Sequence, residues 1–319
     1  MKRYPLKLTY VTKTALWAGT ALRDFWGKKS ELATISESWE LTVRPKEMAT
    51  VIGGVADGMT LLDYLRAAGN DAVSPTWDGE HFPLLIKLID ADDTLSVQVH
   101  PDDDYAASVE NDMGKTEMWY IVDCKEGAEL VYGLCDGVDR QAFADAVRAG
   151  NVASVMKRVP VQKGQTYFIP AGMLHAIGAG ILIAEIQQNS DLTYRVYDYD
   201  RRQADGTLRA LHVDKAIDVT RPFTEEEVDA IRFSRGKSDP TLLANSRYFS
   251  VRRITVDGAI EACVGKESFT ALLCLEGEGK LTHDNVDYPI RKGETYFLPA
   301  NMGAYTVEGK DLTLLTSQV

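Results

Sequence analysis

Residues 161–178 read VQKGQTYFIPAGMLHAIG, and residues 290–307 read IRKGETYFLPANMGAYTV. Lys163, Gly164, Thr166, Tyr167, Phe168, Pro170, Ala171 and Met173 recur 129 positions further on. Each copy reads as a turn at Lys-Gly, a short strand, a Pro turn and a second strand. A segment that repeats at a fixed offset marks a repeated architectural unit. Two copies of one β unit predict two related β domains. The copies differ at one chemically important position: His175 falls opposite Ala304. A ligand at His175 would therefore serve the first domain only.

Working outward, short apolar or β-branched runs punctuated by Gly, Pro and Asp predict strands over 84–89, 95–100, 118–122, 130–132, 166–169, 181–186 and 193–197. A later set covers 248–256, 268–275, 295–298 and 312–316. Helices are fewer. Thr60 opens LLDYLRAAG, with Asp63 three residues on and Gly69 at the end, which predicts a capped helix. DRQAFADAVRAG (139–150), LHVDKAIDV (211–219) and TEEEVDAIRF (224–233) predict three more. The fold class is mainly β: two jelly-roll-like β domains with a few inserted helices. The polar stretch SRGKSDP (234–240) separates 1–235 from 236–319, a second domain without the His of the repeat.

The chain has 319 residues, 45% hydrophobic and 26% charged. Two domains of this composition bury enough surface to fold without disulfides or metals. Lys plus Arg is 35 against 47 Asp plus Glu, a net charge of −12. That balance argues against a nucleic-acid or anionic-membrane partner, which needs a basic face. No apolar run is long enough for a membrane span, and MKRYPLKLTYVTK does not read as a secretory signal. Cys124, Cys135, Cys263 and Cys274 lack metal-clip spacing. Three lie in strand-like runs and are expected to be buried free thiols. These features together point to the reducing cytoplasm.

Four segments carry chemistry. In LSVQVHP (95–101), period-two alternation puts Ser96, Gln98 and His100 on one face and Leu95, Val97 and Val99 on the other. In GKTEMWYIV (114–122), Lys115 and Glu117 share a face. In GQTYFIPAGMLHAIG (164–178), Gly164, Pro170, Gly172 and His175 fit the second cupin signature, G-x5-P-x-G-x2-H; the signature usually closes with Asn, where this chain has Ala179. Gln98, His100, Glu117 and His175 offer an amide oxygen, two imidazoles and a carboxylate. That set suits Zn²⁺ with an open position, and two His plus a carboxylate also suit Fe(II). In ILIAEIQQNSDLTYRVYDYDRR (181–202), Glu185, Asp191, Arg195 and Arg201 stand among apolar residues, and Arg is the natural partner of a phosphate or an oxyanion.

LSVQVHPDDDYA, GKTEMWYIVD, the Pro-Ala-Gly-x-x-His turn and EIQQNSDLTYRVYDYDR resemble the type I mannose-6-phosphate isomerases in their short bacterial form. LWAGTALRDFWG (16–27) is similar to that family's Trp-Gly-Gly opening, with Ala18 replacing a Gly. FPLLIKLIDADDTLSVQVHP (82–101) is the most specific stretch, and the likeness spans most of 5–220. The resemblance implies a zinc enzyme, one ion per chain, that interconverts mannose 6-phosphate and fructose 6-phosphate. By position it implies Gln98, His100, Glu117 and His175 as ligands and Arg195 as the active-site arginine. Lys115 matches a pocket-lining lysine, and Lys87, Ser96, Glu185 and Asp191 match further pocket positions. Long eukaryotic members carry Tyr where this chain has Ile177. Aldose–ketose isomerisation needs a base and a stabiliser for the enediolate oxygen. Glu185, Asp191, a neutral lysine and a zinc-bound hydroxide all qualify as the base.

Two other functions use the same residues. An Fe(II) cupin oxygenase would take up oxygen with iron and not zinc. A sugar-binding cupin without turnover would bind its ligand in a metal-dependent way. His81, His212 and His283 are assigned structural or surface roles. The sequence carries no signal for the oligomeric state.

Overall fold

The computed structural model describes residues 1–203 and 205–319, and its strands assemble into sheets that bury their apolar faces. A six-stranded antiparallel sheet runs in the order Thr166–Ile169, Glu117–Cys124, Ile181–Gln188, Leu84–Ala91, Glu37–Leu41, Val11–Lys13. A five-stranded sheet runs Met156–Pro160, Glu129–Leu134, His175–Ile177, Val97–Val99, Tyr194–Tyr197. The two sheets meet where His175 of one approaches Glu117 of the other. Leu84–Ala91 and Ile181–Gln188 are buried along their whole length, because both faces of these central strands are covered.

The C-terminal sheet contains Leu242–Asn245, Ser250–Val264, Gly303–Gln318, Thr270–His283 and Thr295–Leu298, with Val286–Arg291 paired to Thr270–His283. Two N-terminal strands, Leu6–Leu8 and Val51–Ile52, complete it beside Thr295–Leu298. They went unforeseen because two- or three-residue strands carry no periodicity of their own. Their partners are supplied from the far end of the chain. One apolar core continues across the junction, with Phe82, Phe269 and Phe297 in mutual ring contact. Lys28 and Glu40, both fully buried, form an ion pair at 2.5 Å there. Lys28 also donates to the Gly293 carbonyl, and Thr295 donates to Glu40. The second copy of the repeat thus grips the N-terminal segment.

The helices follow their caps. Leu61–Ala68 starts at Thr60, whose hydroxyl accepts the Asp63 N–H. Arg140–Arg148 starts at Asp139 in the same way, and Glu225–Arg232 has a full capping box from Thr224 and Glu227. Three C-terminal strands extend well past their predicted ends, to Ser250–Val264, Thr270–His283 and Gly303–Gln318. Their outer halves are polar and pair with each other, so no apolar run announces them. The cysteines also depart from expectation. All are free, but only Cys274 is buried; Cys124 and Cys135 are half-buried and Cys263 is exposed. No helix among the described residues is long and apolar enough to cross a membrane.

Candidate metal centre

The Pro170–Gly172 turn aims His175 into the space between the sheets. Gly172 has φ +89°, and its N–H donates to the His100 carbonyl at 2.8 Å. A Cβ there would lie 2.8 Å from the Val219 carbonyl oxygen, so only glycine fits without a backbone shift. Across the ladder His175 pairs with Gln98, and Gln98 pairs on its other side with Arg195. Glu117 opens its strand with Gln187 and Ile169 as neighbours. Four loci remote in sequence are thereby brought to one point.

There His100 Nε2 lies 3.1 Å from His175 Nε2 and 3.2 Å from Glu117 Oε1, while His175 Nε2 lies 3.8 Å from Glu117 Oε2. Among the described residues this is the one group of three His, Cys, Asp or Glu side chains so placed, and all three are buried. His175 Nδ1 faces the Met173 carbonyl at 2.8 Å. A carbonyl only accepts, so Nδ1 carries the proton and Nε2 presents a lone pair to the centre. Burial, then Lys115, pushes the His100 imidazole down to about 3. Burial likewise lowers His175. Both rings are therefore neutral near pH 7. Burial would raise the Glu117 carboxyl, but Lys115 and then His100 hold it well below its ordinary value. Glu117 Oε1 lies 2.8 Å from the Lys115 ammonium without a well-directed hydrogen bond. Two neutral imidazoles and an ionised carboxylate converging on one buried point are a donor set that fits a divalent cation.

A buried polar row extends from this point across the six-stranded sheet. Trp119, Glu185, Lys87 and Trp39 are successive register partners. The Trp119 indole N–H is shared by Glu117 and Glu185, at 3.0 Å each. Lys87 pairs with Glu185 at 3.0 Å and with Glu37 at 3.7 Å, and the Trp39 indole donates to Glu37 at 2.8 Å. Burial would lower Lys87, but Glu185 and then Glu37 raise it. Burial and the Glu117 charge raise Glu185 despite Lys87. Glu117, Glu185 and the half-buried Glu37 thus share this row with Lys115 and Lys87.

Arg195 stands on the other side. Its Nε donates to the Ser96 hydroxyl at 3.2 Å and its Nη1 to the Ala210 carbonyl at 2.9 Å. Its guanidinium is held below its ordinary value by burial and the nearby Arg209. His212 clamps the Arg195 backbone at both the N–H and the carbonyl, consistent with the structural role expected of it. His81 pairs with Asp78 at the surface, and His283 binds the Ala304 carbonyl in the second domain. Arg201 and Arg209 converge on buried Asp198.

Among the sequence-derived residues, His100, Glu117, His175 and Lys115 come together in direct contact. Gln98 joins them through the ladder, Glu185 and Lys87 through Trp119, and Ser96 through Arg195. Asp191 lies exposed on the loop after Ile181–Gln188. Trp119 was missed, although it shares the parity of Glu117 in EMW. Glu37 and Trp39 carried no recognisable signal.

Fold and centre together define a double-domain cupin protein with one buried two-histidine, one-carboxylate cluster. Residues 6–143 match the model of the family "Phosphomannose isomerase type I, catalytic domain", and residues 239–319 match that of "Mannose-6-phosphate isomerase, cupin domain". The chain is 36% identical to the mannose-6-phosphate isomerase ManA of Bacillus subtilis, with 97% of each chain covered. It superposes on the crystal structure of the mannose 6-phosphate isomerase from Bacillus subtilis with a TM-score of 0.87 at 36% identity, covering 99% of both chains. A mannose 6-phosphate isomerase crystallised with zinc and yttrium shares the fold at a TM-score of 0.74 and 16% identity, over 98% of each chain. The chain belongs to the type I phosphomannose isomerase family and is an isomerase of the intramolecular oxidoreductase class.

Proposed function

We propose that this chain interconverts mannose 6-phosphate and fructose 6-phosphate through an enediol(ate), with one Zn²⁺ held by Gln98, His100, Glu117 and His175. One observation carries the proposal. The Met173 carbonyl fixes the His175 tautomer so that Nε2 converges with His100 Nε2 and the Glu117 carboxylate. Bound there, Zn²⁺ would supply Lewis-acid polarisation of a sugar oxygen.

The chain's own residues take the remaining roles. Arg195, half-buried and directed by Ser96 and Ala210, offers a charge-assisted donor to an oxyanion. Lys115 offers a second cation beside the ligands. The Glu185 carboxyl, raised by burial, suits holding and releasing a proton. Lys87, already between Glu185 and Glu37, acts on substrate through Glu185. Asp191, on the exposed loop after Ile181–Gln188, is assigned a substrate-binding role by the family resemblance alone. The catalytic role belongs to 1–235, and 236–319 lacks the metal site. Four free cysteines agree with a cytoplasmic setting.

The test is fructose 6-phosphate formation from mannose 6-phosphate, before and after chelation and with zinc added back. Turnover abolished by chelation and restored by zinc is the expected result. A folded, zinc-loaded protein without turnover overturns the proposal.

A further inference from the structure

The Asp103 carboxylate is a junction between domains. Its Oδ1 accepts the Gly114 N–H at 3.1 Å and the Gln188 side-chain amide at 2.9 Å. Its Oδ2 accepts the Tyr248 hydroxyl at 2.8 Å, with Arg247 at 3.9 Å. Gln188 Oε1 accepts the Thr116 N–H at 2.9 Å, and the Gln188 backbone N–H donates to the Thr116 carbonyl at 3.1 Å. The Lys115 N–H goes to the Pro101 carbonyl at 3.0 Å. Every backbone N–H from Gly114 to Thr116 is therefore held from outside this segment. The segment carries Lys115 and delivers Glu117. Gly114 leaves no slack, since a Cβ there would lie 2.5 Å from the Asp103 nitrogen.

Tyr248 and Arg247 come from the C-terminal domain, and of the two Tyr248 makes the hydrogen bond while Arg247 stays at 3.9 Å. The Tyr248 turn is anchored by the next residue, Phe249, which is fully buried and lies 6.0 Å ring to ring from Phe168. Phe168 pairs directly with Met118, the neighbour of Glu117. Burial and then the bond to Asp103 push the Tyr248 phenol up to about 12, so the hydroxyl stays a donor at neutral pH.

We infer that the C-terminal domain positions segment 114–117 of the metal centre through the hydrogen-bond chain Tyr248–Asp103–Gln188. Asp103, Gln188 and Tyr248 are positioning residues. The inference rests on the metal reading above and is independent of the sugar.

The test compares the full-length wild type with Tyr248→Phe, Asp103→Asn and the double variant. Three readouts are taken: amide exchange at residues 114–116 in the metal-free protein, cobalt(II) affinity by chelator competition, and the cobalt absorption bands. Asp103→Asn should weaken cobalt affinity by about 10-fold, the lower edge for a lost outer-shell partner, and shift the bands. Tyr248→Phe should move both in the same direction by less. Exchange at 114–116 should speed up in both variants. The double variant should be no worse than Asp103→Asn alone, because one chain is broken once. Lower thermal midpoints with exchange, affinity and bands unmoved, or additive losses in the double variant, overturn the inference. Failure of isomerase activity in the wild type overturns the proposed reaction only, since none of these readouts uses turnover.

Discussion

Lys87→Met removes the cation between buried Glu185 and half-buried Glu37. Lys87 lies 3.0 Å from Glu185 and 3.7 Å from Glu37, and its side chain is 6% exposed. At an effective dielectric of about 20, the attraction to Glu185 is about 5.5 kcal/mol and that to Glu37 about 4.5 kcal/mol before solvent screening at the half-buried Glu37. Desolvation of the ions offsets much of this. Losing one partner of a buried pair typically costs about 3–5 kcal/mol, because the other charge stays buried. Glu185 can escape by taking up a proton. Its carboxyl already sits above the ordinary 4.5 through burial and the Glu117 charge, and loss of Lys87 raises it further. A raised folded-state value means the native state binds the extra proton. Stability of the variant must then fall as pH rises toward that value, by about 1.4 kcal/mol per pH unit. Urea unfolding at a series of pH values from about 4.5 upward measures both the loss and the slope. In a double-mutant cycle with Glu185→Gln, the pair should couple by about 2 kcal/mol or more. A loss under about 1 kcal/mol, flat with pH and without coupling, refutes the reasoning.

Arg195→Ala should keep the metal content and cut turnover by about 100-fold, the scale of a lost oxyanion donor; near-normal turnover removes the role assigned to it. The metal-free protein should lose stability as pH falls below 6.5, the ordinary histidine value. His100 and His175 have lowered folded-state values, so the unfolded chain takes up protons that the native state refuses. The slope is about 1.4 kcal/mol per pH unit for each histidine, and equal urea midpoints at about pH 7.5 and about pH 5.5 contradict it. Gly114→Ala places a methyl 2.5 Å from the Asp103 nitrogen and 2.6 Å from the Asp102 carbonyl carbon. It should cost about 1–3 kcal/mol in a thermal or urea melt, as overpacking against backbone does; an unchanged melt shows that the segment can yield.

Local patterns in the chain by themselves determined the two β domains and the single His175. The Lys-Gly turn, aromatic strand and Pro turn recur because each is a short-range conformational preference, legible wherever the residues stand. Side-chain alternation likewise placed Lys115 beside Glu117, and they meet at 2.8 Å. The helix caps at Thr60, Asp139 and Thr224 were legible for the same reason. Period-two alternation names a face but not the strand that will lie alongside it. Only the tertiary structure could bring Leu6–Leu8 to Thr295–Leu298, surround Lys87 with carboxylates, hang Glu117 and Glu185 on one indole N–H, or join Asp103 to a tyrosine 145 residues away. Those contacts arise from register and shared burial between segments far apart in the chain, where the free energy belongs to the pair and neither partner carries a local mark of it.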